Sequence, residues 1–323
     1  MSVAPFHIGL AGLGNVGTEV ARLILNDEGN LEAQAGRPVK LVAYSVRDTA
    51  RDRGLDLSKV AYAGNAAGLA RRDDVDAVVE LMGGRDGAAI DTARAALKSG
   101  KHLVTGNKAM LASHWQELHD LSAQTGAQLM FEASVCGGIP VIKVLREGLA
   151  GNSIVKISGI LNGTCNYVLS SMESAGIDFS NALLQAQKLG YAEADPTLDI
   201  DGFDAAHKLV ILAKLAFDPK ITIDDISVEG IRGIQLGDIK AAREKGQAIR
   251  LIAAAGKKGS DVLLSVKPVY LPLDHPLAHV GGAMNAVTID AEPVQTCTLI
   301  GPGAGGGPTA SAVLADIIDL ARL

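Results

Sequence analysis

Only three cysteines occur among the 323 residues, and Cys136, Cys165 and Cys297 are too scattered, and odd in number, to build a disulfide framework. Their spacing matches no zinc site, and the seven histidines include no His-Glu-x-x-His pair. Positive charge is not in excess either. Thirty Lys and Arg against thirty-six Asp and Glu leave a net charge of −6, which speaks against nucleic acid or an anionic membrane as the main partner. No apolar run is long enough to cross a bilayer, so no membrane partner is expected. The first six residues lack the basic start of a secretory signal. Reduced thiols without such a signal point to a cytoplasmic chain. Charged residues make up only 20% of the chain against 48% hydrophobic ones, a composition suited to two well-packed domains.

What is present is an alternation of short apolar runs and helical stretches over the first 130 or so residues. Strands are expected at Phe6–Ala11, Val39–Val46, Ala77–Met82, His102–Thr105 and Gln128–Glu132. Helices fall between them at Asn15–Leu25, Gly87–Ser99 and Ala112–Gln124, with an exposed loop over Gly29–Pro38. Such a βαβα pattern implies a parallel sheet covered on both faces. Beyond about residue 135 the texture changes. A strand at Ser153–Leu161 precedes helices up to Glu244, then strands at Ile249–Ala255, Asp261–Val266, Ala286–Ala291 and Thr296–Ile300. The expected fold is α/β: a Rossmann-type dinucleotide-binding domain over residues 1–135, then an α+β domain with a mixed sheet over 136–302. The stretch 303–323 holds a last helix, Thr309–Leu323, with Pro308 at its first position, packing back on the first domain.

Gly12-Leu-Gly14-Asn-Val-Gly17 follows the first strand and opens a helix, the context in which this motif binds a dinucleotide pyrophosphate. Gly12, Gly14, Asn15, Val16 and Gly17 are therefore candidate cofactor contacts. The second strand ends in Ala43-Tyr-Ser-Val-Arg47-Asp48, with Arg51 and Arg53 following. Arginine suits a 2′-phosphate, so Arg47 favours NADP(H), while Asp48 leaves NAD(H) open. Lys108 lies just past the fourth strand, at the carboxyl edge where open α/β sheets bind ligands.

The segment Gly190–Lys208 is laden with carboxylates and runs into a helix from about Gly202 to Ala216. On a helical period Asp204, Lys208, Ile211, Leu212 and Leu215 share one face, and charges beside aliphatics are expected to be paired or working. Two readings stand. Asp201 could cap this helix with Asp204 at its third position, or the pair could carry chemistry. A calcium loop fails, because a ligand pattern started at Asp199 puts Asp204 where glycine is required. Thr164, at the start of a helix after Asn162-Gly, can cap that helix or meet a carboxylate; the Gly301–Pro308 run can flex or cradle phosphate. Cys136 raises a rival chemistry, the thiolate nucleophile of an aldehyde dehydrogenase that forms an acyl-enzyme, against a buried inert thiol.

Taken together, Gly12–Gly17, Glu80-Leu-Met-Gly-Gly84, Asn107-Lys108, Ala133–Pro140, Gly159–Leu169, Gly190–Lys208 and Gly301–Ala312 resemble homoserine dehydrogenases over nearly the whole chain. The resemblance implies NAD(P)-dependent interconversion of L-aspartate 4-semialdehyde and L-homoserine, in threonine and methionine biosynthesis. Lys208 then matches the proton donor to the substrate carbonyl, Asp204 the carboxylate beside it, and Lys108 a lysine near nicotinamide and substrate. Glu193 matches the residue at the substrate's amino end, with Asp199 as helper and Thr164 towards its carboxylate. Gly190, Gly303 and Gly305 match cofactor contacts. A sodium-like monovalent cation is implied at Glu132 and the carbonyls of Val135, Gly137 and Ile139. Cys136 departs from the family, which commonly has a small residue such as glycine there. The resemblance also implies a homodimer through the second domain's sheet; a short form is expected, departing from the many bacterial members that continue into a C-terminal ACT regulatory domain. A non-catalytic NADP-binding sensor remains the alternative from another class.

Overall fold

Strand β1 (Phe6–Ala11) buries every side chain but His7, as a strand covered on both faces must. The computed structural model describes residues 3–259 and 261–323. After β1 comes helix α1 (Asn15–Leu25), which buries Gly17, Val20, Ala21 and Ile24 along one stripe. The expected loop over Gly29–Pro38 is instead partly helical. Helix α2 (Asn30–Ala35) buries Leu31 and Ala35 one turn apart, and the Asp27 carboxylate accepts from the Leu31 N–H at 3.1 Å. That short polar stretch read as loop because two buried side chains are too few to show a period.

The chain continues through β2 (Val39–Ser45), β3 (Ala61–Tyr62), β4 (Ala77–Glu80), α3 (Ala88–Lys98), β5 (His102–Thr105), α4 (Lys108–Thr125) and β6 (Leu129–Met130). Helix α4 starts four residues earlier than expected because the Asn107 side chain accepts from the Met110 N–H at 3.1 Å and caps it there. Strands β3-β2-β1-β4-β5-β6 form one parallel sheet in that order. Strand order reverses between β1 and β4, the switch point at whose carboxyl ends open α/β sheets bind ligands.

The second compact unit, Ile139–Ala304, begins with α5 (Val141–Lys143), which passes into a π turn over Val144–Gly148. It holds β7 (Ser153–Ile160), α6 (Gly163–Ala175), α7 (Phe179–Lys188), α8 (Thr197–Ile200), α9 (Phe203–Ala216), β8 (Ile226–Val228), α10 (Leu236–Glu244), β9 (Gln247–Lys258), β10 (Asp261–Pro272), β11 (Met284–Glu292) and β12 (Gln295–Pro302). The sheet runs β12-β11-β7-β9-β10-β8, antiparallel except where β8 meets β10. Strands β9 and β10 pair along their whole length, which carries them well beyond the shorter runs the sequence pattern marked.

Helix α11 (Gly306–Arg322) belongs to the first unit, which runs to Gly138 and resumes at Gly305. Its buried Val313, Ile317 and Leu320 join Val20 and Ile24 of α1 in one core cluster. Pro308 sits third in this helix, not first. The first turn's N–H groups have no partner within a helix, so proline costs no hydrogen bond there. Among the described residues, no helix is long and apolar enough to cross a membrane.

Candidate active site

The three glycines of the first βα turn answer to different constraints. Gly12 is left-handed at φ +95°, and a Cβ on it would lie 2.8 Å from the Leu81 carbonyl oxygen. A Cβ on Gly17 would lie 2.0 Å from the Gly12 oxygen. Protein packing therefore demands both. Gly14 is different, because nothing lies within 4 Å of its would-be Cβ. Its smallness serves a visitor, as a pyrophosphate lying against the backbone requires. Gly14 caps α1 with no side-chain hydrogen bond, which leaves the N–H groups of Asn15, Val16 and Gly17 for an anion. These residues fit a dinucleotide.

Past β2, Arg47 is exposed, while Arg53 is turned inward on backbone oxygens. Its guanidinium donates to Leu13 at 3.1 Å, Asp48 at 2.8 Å and Arg51 at 2.7 Å. Arg53 thus ties this loop to the glycine turn. The Asp48 carboxylate accepts from the N–H groups of Ala50 and Arg51, folding its own loop. Lys108 is half-buried as the first residue of α4.

In the second unit, α9 is buried nearly all round, not along the single stripe its period suggested: Ala205, Ala206, Leu209, Val210 and Ala213 are as enclosed as Ile211 and Leu212. Within it Lys208 Nζ lies 2.9 Å from Asp204 Oδ2, with the two side chains only 10% and 12% exposed. The ammonium also donates to the Leu161 carbonyl at 2.7 Å. The Asn162 side-chain N–H groups reach Asp199 Oδ1 at 2.7 Å and Asp204 Oδ2 at 2.8 Å, while its Oδ1 accepts from the Cys165 N–H and caps α6. Asn162 is therefore the joint of the cluster, where the sequence pattern showed it only at the start of a helix. The structure brings Lys208, Asp204 and Asp199 together.

Other expected members stand differently. Asp201 does not cap α9; Gly202 holds that position, and the Asp201 carboxylate pairs with Arg232, whose Nη2 lies 3.2 Å from Oδ2. Asp204 consequently sits second in the helix. The Thr164 hydroxyl donates to the Tyr191 carbonyl at 2.6 Å, so its one proton is committed to tethering the strap after α7. Glu193 projects from that strap as an exposed side chain, with its carbonyl held by Gln187 at 3.1 Å. Gly190, left-handed at φ +75°, turns the chain into the strap. Burial pushes the Cys165 thiol well above its ordinary range, helped by the negative charge of Asp199, so it stays protonated.

Of the residues assigned to a cation, Glu132 is buried at 1% and Val135 is fully enclosed. The Glu132 N–H donates to the buried Asp316 carboxylate of α11 at 2.9 Å, an anchor 184 residues away that no local pattern marks. Gly137 packs on Thr309, whose hydroxyl would lie 2.7 Å from a Cβ, and the Ile139 carbonyl accepts from the Val141 N–H at 2.7 Å. Among the described residues, no group of three His, Cys, Asp or Glu side chains could hold a metal, so any ion there would rely on carbonyl oxygens beside one carboxylate. Cys136 is left-handed at φ +54° and 1% exposed. That backbone explains why glycine suits the position, and burial denies the thiol the access a nucleophile needs. The thiolate-dependent alternative is not supported. Gly303 is packed against the Asn285 side chain, and Gly305 caps α11 at φ +120°.

A parallel sheet in this strand order, with a glycine turn at its switch point, defines a dinucleotide-binding protein, and its second unit carries a buried lysine–carboxylate pair. The family model for the homoserine dehydrogenase NAD-binding domain matches residues 12–132, and that for homoserine dehydrogenase matches residues 140–318. The homoserine dehydrogenase of Mycobacterium tuberculosis is 43% identical over 98% of this chain and 73% of its own length. A crystal structure of a homoserine dehydrogenase from Thiobacillus denitrificans superposes with a TM-score of 0.95 at 39% identity, covering all of this chain and 74% of that one. A hyperthermophilic archaeal homoserine dehydrogenase mutant in complex with NADPH matches with a TM-score of 0.82 at 28% identity over 98% of this chain and 97% of that one. The chain belongs to the homoserine dehydrogenase family, NAD(P)-dependent oxidoreductases that act on a CH–OH group.

Proposed function

We propose that Lys208 delivers the proton in the reduction of L-aspartate 4-semialdehyde to L-homoserine. The observation that carries this reading is the buried Lys208–Asp204 contact at 2.9 Å, clamped by Asn162. When bound, the reduced dinucleotide would supply a hydride to the aldehyde carbon. As the carbonyl oxygen gains charge, Lys208 Nζ gives it a proton, and Asp204 and the Leu161 carbonyl hold the ammonium in place. Glu193 and Asp199 complement the substrate's ammonium group, and Lys108 serves beside the nicotinamide. Thr164 acts by tethering the strap that carries Glu193.

The first unit holds the dinucleotide on Gly12–Gly17, with Gly305 as a further contact. Arg47, exposed past β2, favours NADP(H), with NAD(H) also accepted. Glu132 and the carbonyls of Val135, Gly137 and Ile139 hold a monovalent cation. The second unit carries catalysis and the sheet through which two copies pair, and the enzyme works in the cytoplasm. The test is NADPH oxidation on adding aspartate semialdehyde, repeated with NADH and with Lys208→Ala. Full activity in the variant would sink the assignment of the proton donor.

A further inference from the structure

Glu80 is the last residue of β4, paired in register with Ala11 at the end of β1 and with Thr105 at the end of β5. It is completely buried, and among the described residues its partners are neutral donors. Oε1 accepts from the Met82 N–H at 2.8 Å and Oε2 from the Thr105 hydroxyl at 2.7 Å. The network continues outward. The Thr105 hydroxyl accepts from the Asn107 N–H at 3.0 Å, and the Asn107 amide donates to the Gly84 carbonyl at 2.7 Å. Asn107 also caps α4, whose first residue is Lys108. Leu81, next to Glu80, donates to the Ala11 carbonyl at 2.8 Å and presents the oxygen against which Gly12 is packed. One carboxylate thus joins the turns after β4 and β5, and through Leu81 touches the turn after β1.

A buried carboxylate is costly to keep without a counter-ion, and strand pairing here does not require one. What it secures is backbone geometry at the carboxyl edge of the sheet. Both of its oxygens face donors, so glutamine cannot replace it without setting an amide N–H against the Met82 N–H or turning the Thr105 hydroxyl round. We propose that Glu80 is a positioning residue for the dinucleotide, fixing the Leu81–Gly84 and Thr105–Lys108 turns as one wall of the switch-point crevice. In this fold the adenosine ribose lies towards the end of β2, so the opposite, β4–β5 side receives the nicotinamide half. Glu80 therefore acts on the nicotinamide half and leaves the adenosine half alone.

The inference rests on dinucleotide binding by the first unit, and the experiment separates the two. Dissociation constants for NADPH, NADH and ADP are measured without substrate on the whole chain and on Glu80→Gln, Thr105→Val and Thr92→Val, beside thermal melting. Thr92 is buried on α3 and bonded to Ala88, so its variant reports loosening of the unit away from the crevice. Glu80→Gln and Thr105→Val are expected to weaken binding of the reduced dinucleotides by about tenfold and ADP binding by less than about twofold. Thr92→Val should change none of the three constants. If Glu80→Gln does not fold, Thr105→Val decides by the same readout. Equal weakening of ADP and dinucleotide, or no weakening of either, overturns the positioning role. Failure of the unaltered chain to bind any reduced dinucleotide overturns the binding reading beneath it.

Discussion

Glu80 and Asp204 are both largely removed from water and are stabilised by different chemistry. Glu80 is held by hydroxyl and N–H donors, whereas Asp204 faces the Lys208 ammonium and the Asn162 amide. For Glu80 burial outweighs its hydrogen bonds, and its carboxyl is held above the ordinary range. A neutral shell suits a group whose task is to hold turns in register. A carboxylate that shares its oxygen with a lysine suits a task in which a proton moves. Enclosure alone therefore does not distinguish the two; their partners do.

The comparison breaks first at Lys208. Lys208→Ala should lower kcat by about a thousandfold while leaving the NADPH dissociation constant unchanged, measured by steady-state assay and fluorescence titration. Comparable losses in both would mean the lysine supports the fold and not the chemistry. Asn162→Ala comes next. It removes two hydrogen bonds to carboxylates and the cap of α6, and is expected to cut kcat by about 10- to 100-fold and to shift the pH profile of kcat. A drop in melting temperature with an unmoved pH profile would reduce Asn162 to its capping role.

Glu80 sharpens the comparison through pH. Its folded value is raised, so the folded chain binds this proton more tightly than the unfolded chain does. The stability it contributes is complete below the unfolded carboxyl range and is lost as pH rises through the elevated folded value. Urea unfolding of Glu80→Gln across that window should show a flatter dependence on pH; identical slopes would contradict the assignment. The smallest effect is expected at Cys136. Replacing this left-handed residue by glycine removes a Cβ penalty but gives up chain entropy and the packing of a buried sulfur, for a net change of less than about 1 kcal/mol in urea unfolding. Cys136→Ser should retain turnover, which a thiolate mechanism could not.

Much of the first unit was legible because its signals are local. The glycine turn is six consecutive residues, and the strands around it carry continuous apolar runs. The reading faltered where a few side chains decided a boundary: Asp27 holding α2, Asn107 starting α4 early, and Gly202 displacing Asp201 as the cap of α9. Asn162 and Glu80 escaped assignment because their partners lie 37 and 25 residues away. Asp316 lies farther still from the Glu132 turn that it anchors.

By itself the sequence determined the features that neighbouring positions set: a dinucleotide turn after the first strand, and a lysine one helical turn beyond an aspartate. Periodicity carries such facts, because a helix or strand fixes the direction of each side chain relative to the next. Tertiary structure alone decided that α9 is enclosed on nearly every side, that Asn162 clamps two carboxylates, and that Glu80 meets a hydroxyl and backbone N–H groups in place of an ammonium. Whether a charge meets water, an amide or an opposite charge depends on segments far apart in the chain, and that choice sets whether a buried carboxylate positions or reacts.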